Sequence, residues 1–354
     1  MTDVTQHVTQ HATTRRMLLR TGAAAGAAAA LGAAGVFTAD TSFAADTTFA
    51  AGTSSPAGTA GGKTGLPYPP AVVDTSHCTP EVAELLRGFF AAKSRHDVPR
   101  VMSYFSRANT IYIDANLGTA LMSWQQVNDL FTAYFPKVPA TALSYPVRIV
   151  GDMRSAAVEF VDTPPFFGAE LRALSPIVFD GQGKITRWVD YWDGRSALTP
   201  ATVIGSAYPT DFKDSEQNAH PAVVEAARAL QAAFAAGDAA AAVGLMSADV
   251  VVEDLSAHTR VCGRLQAQRY YARALGRLPY GTGAAVLHAE GGRRGGGYEW
   301  SAAPGAAPLR RGHTCIELDD AGRVSRLTVI YDANQLSYPA YQSLVGLAAE
   351  APLS

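Results

Sequence analysis

The chain has 354 residues, a formal net charge of −2, and 17% charged against 48% hydrophobic residues. Near-neutral charge removes the electrostatic case for a nucleic-acid partner. Three cysteines, Cys78, Cys262 and Cys315, are too few for a disulfide framework, and for Cys262 and Cys315 a mutual bond and two buried free thiols both stay open.

At the amino terminus, Thr14-Arg15-Arg16 precedes Met17-Leu18-Leu19 and a mild Ala/Gly-rich stretch from Thr21 to Thr38. A charged segment followed by a short apolar one reads as a secretory signal, and the paired arginines match twin-arginine export. Ser42-Phe43-Ala44-Ala45 offers a small-residue cleavage site, so residues 1–45 are expected to be the signal peptide. The apolar run is too short and too mild to span a bilayer, which takes about 20 strongly apolar residues. The expected location is therefore exported: extracellular or in the cell envelope, with no membrane span. Residues 46–77 are rich in Thr, Ser, Ala, Gly and Pro and are expected to form a flexible linker.

From here the chain repeats itself. Pro80 and Pro221 each open a helix at its first turn, where the missing N–H costs nothing. Val82, Leu85, Leu86, Phe89 and Phe90 keep a helical apolar period in the first copy, and Val224, Ala227, Leu230 and Phe234 keep it in the second. Asp97 and Asp238 each turn the chain into a second helix. A strand follows, Thr110–Asp114 or Val250–Asp254, then a third helix, Trp124–Phe135 or Leu265–Leu275. Two hairpins complete each copy, the last strands running to Asp193 and Asp332. The expected fold is α+β: two tandem cone-shaped domains, each with three helices packed on a curved antiparallel sheet. The expected bounds are 78–200 and 219–345, with a linker at 201–218.

Strand alternation puts Trp188, Asp190 and Trp192 on one face, Phe160 and Asp162 on another, and Tyr112 with Asp114 on a third. An acid between two tryptophans is unusual for a solvated face. If these faces line one pocket, it holds Tyr112, Asp114, Asp162 and Asp190 among aromatic walls. The second copy keeps Asp254 but has Val329 and Val252 in the places of Asp190 and Tyr112. Its other polar residues, His258, Tyr270, His288 and His313, form no recognisable pattern. No His/Cys/Asp cluster has metal-ligand spacing. The glycine- and arginine-rich run Gly291–Gly297 reads as a hairpin loop, and Gly-x-Ser-x-Gly is absent. No metal or cofactor is expected.

The Phe89-Phe90…Asp97 helix pair, the strand ending at Asp114, Gly183-Lys184-Ile185 and Trp188-Val189-Asp190-Tyr191-Trp192-Asp193 carry a resemblance. Each copy resembles the nuclear transport factor 2-like superfamily, specifically its SnoaL-like branch, which includes polyketide cyclase-like and limonene epoxide hydrolase-like domains. The resemblance implies a helix layer over a curved sheet with a pocket between them. It implies catalytic roles for Tyr112, Asp162 and Asp190, with Asp114 where the epoxide hydrolase-like members carry an amide. Trp188, Trp192, Phe160 and Tyr134 would then hold the ligand. The epoxide-opening version lacks its arginine, whose place Phe160 takes. What remains is a cofactor-free cyclase, isomerase or hydrolase using acid–base chemistry on a small apolar molecule. The alternative is a non-catalytic binding or carrier module for a small hydrophobic ligand or a protein partner. The degenerate second copy is expected to pack on the first as an internal pseudo-dimer.

Overall fold

The computed structural model describes residues 73–195 and 218–349. The expected signal peptide, most of the 46–77 linker and nearly all of the 201–218 linker lie outside them.

The first half begins with a strand where a linker was expected. β1 (Asp74–Cys78) runs parallel to β4 (Ser144–Gly151) at the edge of the sheet. Its sequence, Asp-Thr-Ser-His-Cys, has no apolar alternation, because an edge strand needs only a partner for its backbone. Next come α1 (Pro80–Ser94) and α2 (Val98–Met102), the second capped by the Asp97 side chain, which accepts from the Arg100 N–H. β2 (Ile111–Asp114), β3 (Thr119–Leu121) and α3 (Trp124–Tyr134) follow. β5 (Ser155–Asp162), a single helical turn α4 (Pro164–Phe167), β6 (Leu171–Phe179) and β7 (Ile185–Trp192) complete the half. The sheet order is β1-β4-β5-β6-β7-β2-β3. It is mostly antiparallel, with β1/β4 and β2/β7 parallel.

The second half repeats the plan: α5 (Pro221–Ala235), α6 (Ala239–Gly244), β8 (Met246–Asp254), β9 (Thr259–Cys262) and α7 (Arg264–Ala274). β10 (Ala285–Gly292), β11 (Gly295–Ser301), β12 (Arg311–Leu318) and β13 (Val324–Tyr331) finish a sheet ordered β10-β11-β12-β13-β8-β9. Again the first and closing strands, β8 and β13, pair in parallel. Asp238 caps α6 through the Ala241 N–H as Asp97 caps α2. Gly151 and Gly291 take matching positive φ angles of 128° and 125°. Their carbonyls accept from the Thr79 and His220 N–H groups just ahead of α1 and α5. A last helix, α8 (Tyr338–Gly346), was not foreseen. Among the described residues no helix is long and apolar enough to cross a membrane.

Each sheet turns one face to its own helices. Phe89, Phe90, Val101, Val158, Ile177 and Trp188 form the first core, and Val223, Leu230, Tyr271, Trp300, Leu327 and Tyr331 belong to the second. Full burial of side chains this size stabilises by about 1.5–3 kcal/mol each. The opposite faces of the two sheets meet. Arg187 Nη2 and Tyr191 Oη both donate to Glu299, each at 2.6 Å. Arg148 donates to Thr328 Oγ1 at 3.1 Å and lies 3.2 Å from Glu317. Burial pushes Glu299 up, but Arg187, His288 and Tyr191 outweigh it and hold the carboxyl well below its usual range. His313 and Glu290 form a second buried pair in this layer.

The run Gly291–Gly297, expected to be a loop, is mostly strand: β10 continues to Gly292 and β11 starts at Gly295. The missing side chains are needed. A Cβ on Gly292 would press on Gly151 and Asp152 of the first half, and one on Gly295 would strike the Ile316 carbonyl of the next strand and the Val150 side chain of the first half. Cys262 is exposed, Cys315 is buried between the sheets, and both are free, so the bond between them is not made and only one is a buried thiol.

Candidate functional site

Between the first sheet and its helices lies a cavity of about 100 Å³. Tyr112, Asp114, Asp162, Asp190, Phe160, Trp192 and Tyr134 all border it. Strand pairing brings them together: Asp114 sits opposite Asp190 where β2 meets β7. Asp162 ends β5, one strand beyond β6. α3 supplies Leu130, Phe131 and Tyr134, and α4 supplies Phe166 and Phe167.

Trp188 departs from the ligand-contact role expected of it. It sits deeper, 2% exposed, its ring 4.8 Å from Phe89, and does not border the cavity. The helix-borne phenylalanines fill the space its face would have opened onto. Its indole nitrogen instead donates to Asp190 Oδ1 at 2.5 Å.

Asp190 is held from three sides. Tyr112 Oη donates to Oδ2 at 2.5 Å, and Ser175 Oγ donates to Oδ1 at 2.6 Å beside the Trp188 indole. Burial still raises its pKa above the usual carboxylate range, against the lowering pull of Lys93 and these three donors. Asp114 accepts from the backbone N–H groups of Asn116 and Leu117 and from the Trp192 indole. Burial, reinforced by the negative charge of Asp190, pushes it up to about 7. Tyr112 is raised well above its normal range by burial and by Asp190. Two neighbouring carboxyls in an apolar site do not ionise independently, and here the charge of each disfavours ionisation of the other.

One residue of the site was missed in the sequence. Lys93 Nζ reaches both oxygens of Asp162, at 2.9 and 3.0 Å, and stands 4.8 Å from the Phe160 ring centroid. The signal was present: Lys93 follows Phe89 by four residues and Phe90 by three, which puts it on the inward stripe of α1. Arg172, on the strand beside Asp162, pairs with Glu159 on the opposite sheet face and does not enter the cavity.

In the second half, the positions of Lys93, Tyr112, Asp162 and Asp190 are taken by Phe234, Val252, Ala302 and Val329. Tyr270, Tyr271, Tyr280, Tyr298 and Tyr331 are fully buried in that interior. Asp254, the counterpart of Asp114, accepts from Tyr331 Oη at 3.2 Å and is pushed up to about 6 by burial. His288 and His313 lie in the layer between the sheets, and His258 is exposed. Among the described residues no group of three or more His, Cys, Asp or Glu side chains is placed to hold a metal ion.

No family model and no curated protein matches the chain. Solved structures do. A SnoaL-like protein of unknown function from Burkholderia thailandensis is 14% identical, over 33% of this chain and 98% of that one, with a TM-score of 0.29. An NTF2-like protein of unknown function from Burkholderia pseudomallei is 14% identical, over 34% of this chain and 100% of that one, with a TM-score of 0.28. A hypothetical protein with a ketosteroid isomerase-like fold from Catenulispora acidiphila is 16% identical, over 35% and 93%, with a TM-score of 0.28. These NTF2-like, SnoaL-like and ketosteroid isomerase-like structures each match about a third of this chain.

Proposed function

We propose that the protein is an exported, cofactor-free enzyme that moves a proton on a small apolar molecule held in the first-half cavity. A cyclase, isomerase or hydrolase would all fit this chemistry. The observation that carries the reading is the register pairing of Asp114 with Asp190 inside an aromatic-lined cavity. Two adjacent carboxyls both raised by burial, one of them to about 7, can serve as acid and base. Asp190 is the better-positioned base, held by Tyr112, Ser175 and Trp188. Asp114 returns the proton, and the Tyr112 hydroxyl can turn from Asp190 to the substrate oxygen. Lys93 occupies both oxygens of Asp162 and so holds that carboxyl out of the exchange.

The test is carbon–hydrogen exchange into deuterated water over a panel of small carbonyl compounds: neutral, anionic and amine-bearing. Wild type should catalyse exchange of at least one. Asp190→Asn, which keeps the shape but removes the basic oxygen, should slow it by about 10²–10⁴-fold while leaving binding within a few-fold. Full activity in Asp190→Asn would refute its assignment as base.

A binding or carrier role has one observation in its favour: both oxygens of Asp190 already accept hydrogen bonds from the protein. Ligand binding without exchange of any compound would decide for it. The second half, in either case, is read as a structural partner, an internal pseudo-dimer that covers the sheet of the first. The domain bounds 78–200 and 219–345 belong to this proposal, with the first extended back to take in β1. Export rests on Arg15-Arg16, and replacing both with Lys should stop translocation of a reporter fused to residues 1–45.

A further inference from the structure

The cavity read above as the active site is unevenly charged. Three carboxyls border it, Asp114, Asp162 and Asp190, and one cation, Lys93. Lys93 is consumed at one end. Both Asp162 oxygens hold it, and the rings of Phe160 and Phe166 lie 4.8 and 5.5 Å from its ammonium. That end is a complete arrangement: a cation, its counter-ion and aromatic faces.

The other end repeats two of those three parts. Asp114 and Asp190 stand side by side, and the aromatic side chains of Trp192, Tyr112 and Phe131 border the space beside them. Among the described residues every hydrogen-bond donor to these two acids is neutral: a hydroxyl, an indole or a backbone N–H; Lys93, bonded to Asp162, acts on Asp190 only through its charge. Aromatic faces carry negative potential and attract cations, more strongly when water is excluded. An anion would meet the same aromatic faces and the repulsion of the two acids.

We propose that the cavity selects a small apolar ammonium ion, its apolar groups against the aromatic walls and its charge against the Asp114–Asp190 pair. This rests on the reading of the cavity as the ligand site and names the class of molecule it takes. The cavity itself makes the site; the acids set the charge of the occupant. Its volume suits a molecule of a few heavy atoms. Protonation is coupled to binding. The charged groups facing Asp114 are Asp190 from β7, Asp162 from β5 and Lys93 from α1, with the tyrosines Tyr112 from its own strand and Tyr134 from α3. Asp114 is held up to about 7, first by burial and then by Asp190. A bound cation favours its ionised form, so affinity for a permanently charged ligand should rise as pH passes upward through 7.

Three probes built on one tert-butyl group test this: tert-butylammonium, tert-butanol and the slightly larger pivalate, which carry positive, zero and negative charge between pH 6 and 8. Binding is followed by isothermal titration and by tryptophan fluorescence, on wild type, Asp114→Asn and Asp190→Asn. Tert-butylammonium should bind wild type at least about tenfold more tightly than either other probe. Its affinity should rise severalfold from pH 6 to pH 8, a measurement that needs no variant. In Asp114→Asn both the preference and the pH dependence should shrink. Equal or tighter binding of tert-butanol or pivalate would overturn the ligand class and leave the cavity as a ligand site. A preference unchanged in both variants would overturn the role of the acid pair. Failure of all three probes to bind would overturn this proposal and count against the cavity as a ligand site.

Discussion

The two halves share a frame and differ in what they put inside it. Their first helices start at matching prolines, their capping aspartates match, and matching glycine carbonyls accept from the residues just ahead of those first helices. Yet one interior keeps a cavity with a lysine and three acids, while the other is filled with tyrosines around one acid. The frame tolerates either filling because the sheet's hydrogen bonds do not depend on which side chains face inward. Fold and cavity lining are therefore separable in this molecule: among the described residues, the cluster of a lysine and three acids around a cavity lies in the first half.

The contrast can be broken most sharply at Lys93. Lys93→Met leaves Asp162, 3% exposed, without its counter-charge, and should cost about 3–5 kcal/mol in urea denaturation. The matching change in the second half, Phe234→Met, exchanges one apolar side chain for another and should cost less than about 1.5 kcal/mol. Adding Asp162→Ala to Lys93→Met should recover most of the loss, since that pair of positions is apolar in the second half. Similar costs for the two single variants would mean that the Lys93–Asp162 pair is not a structural element.

Truncation of the closing strand comes next. Tyr331→Ala empties space in a filled interior and should cost about 3 kcal/mol. Trp192→Ala removes a larger side chain, but one that already borders a void, and should cost less. The reverse order, measured by the same denaturation midpoints, would show the first interior to be packed as tightly as the second.

The smallest effect is in pH. Asp114 is held at about 7 in the folded protein, above its unfolded value of 3.8. The folded state therefore binds more protons between those values, and this contribution to stability is lost as pH rises toward 7. Asp114→Asn, which cannot ionise, should gain on wild type by about 1–3 kcal/mol between pH 5 and pH 8. Asp254, held at about 6, should give Asp254→Asn the same sign with a smaller gain. No pH dependence in the Asp114→Asn difference would mean that this carboxyl is solvated in the folded protein.

Much of this architecture was legible because the repeat supplies its own control. The cap at Asp97 recurs at Asp238, and alternation on the closing strand placed Asp190 and Trp192 on the inward face. Lys93 escaped because a charged residue in an apolar helix stripe is ordinarily discounted, although its spacing from Phe89 and Phe90 pointed inward. β1 escaped because an edge strand held by backbone pairing leaves no side-chain pattern. The glycine run was misjudged because glycine marks both a flexible loop and a close approach of two backbones, and only the second half's position against the first distinguishes them. The depth of Trp188 could not be read either, since alternation gives a face and says nothing of what covers it.

That glycine run has a further consequence. Gly292 and Gly295 meet Gly151 and Val150 of the other half, so the spacing of the two sheets is gauged by atoms that are absent. A methyl group added at Gly292, whose nearest neighbours are Gly151 and Asp152 of the other half, would act as a shim. It would lift one sheet off the other as a rigid plate, and the strain would appear far from the shim, where Glu299 must reach both Arg187 and Tyr191. The alignment of the whole seam is thus entrusted to the residues with the least to show for it.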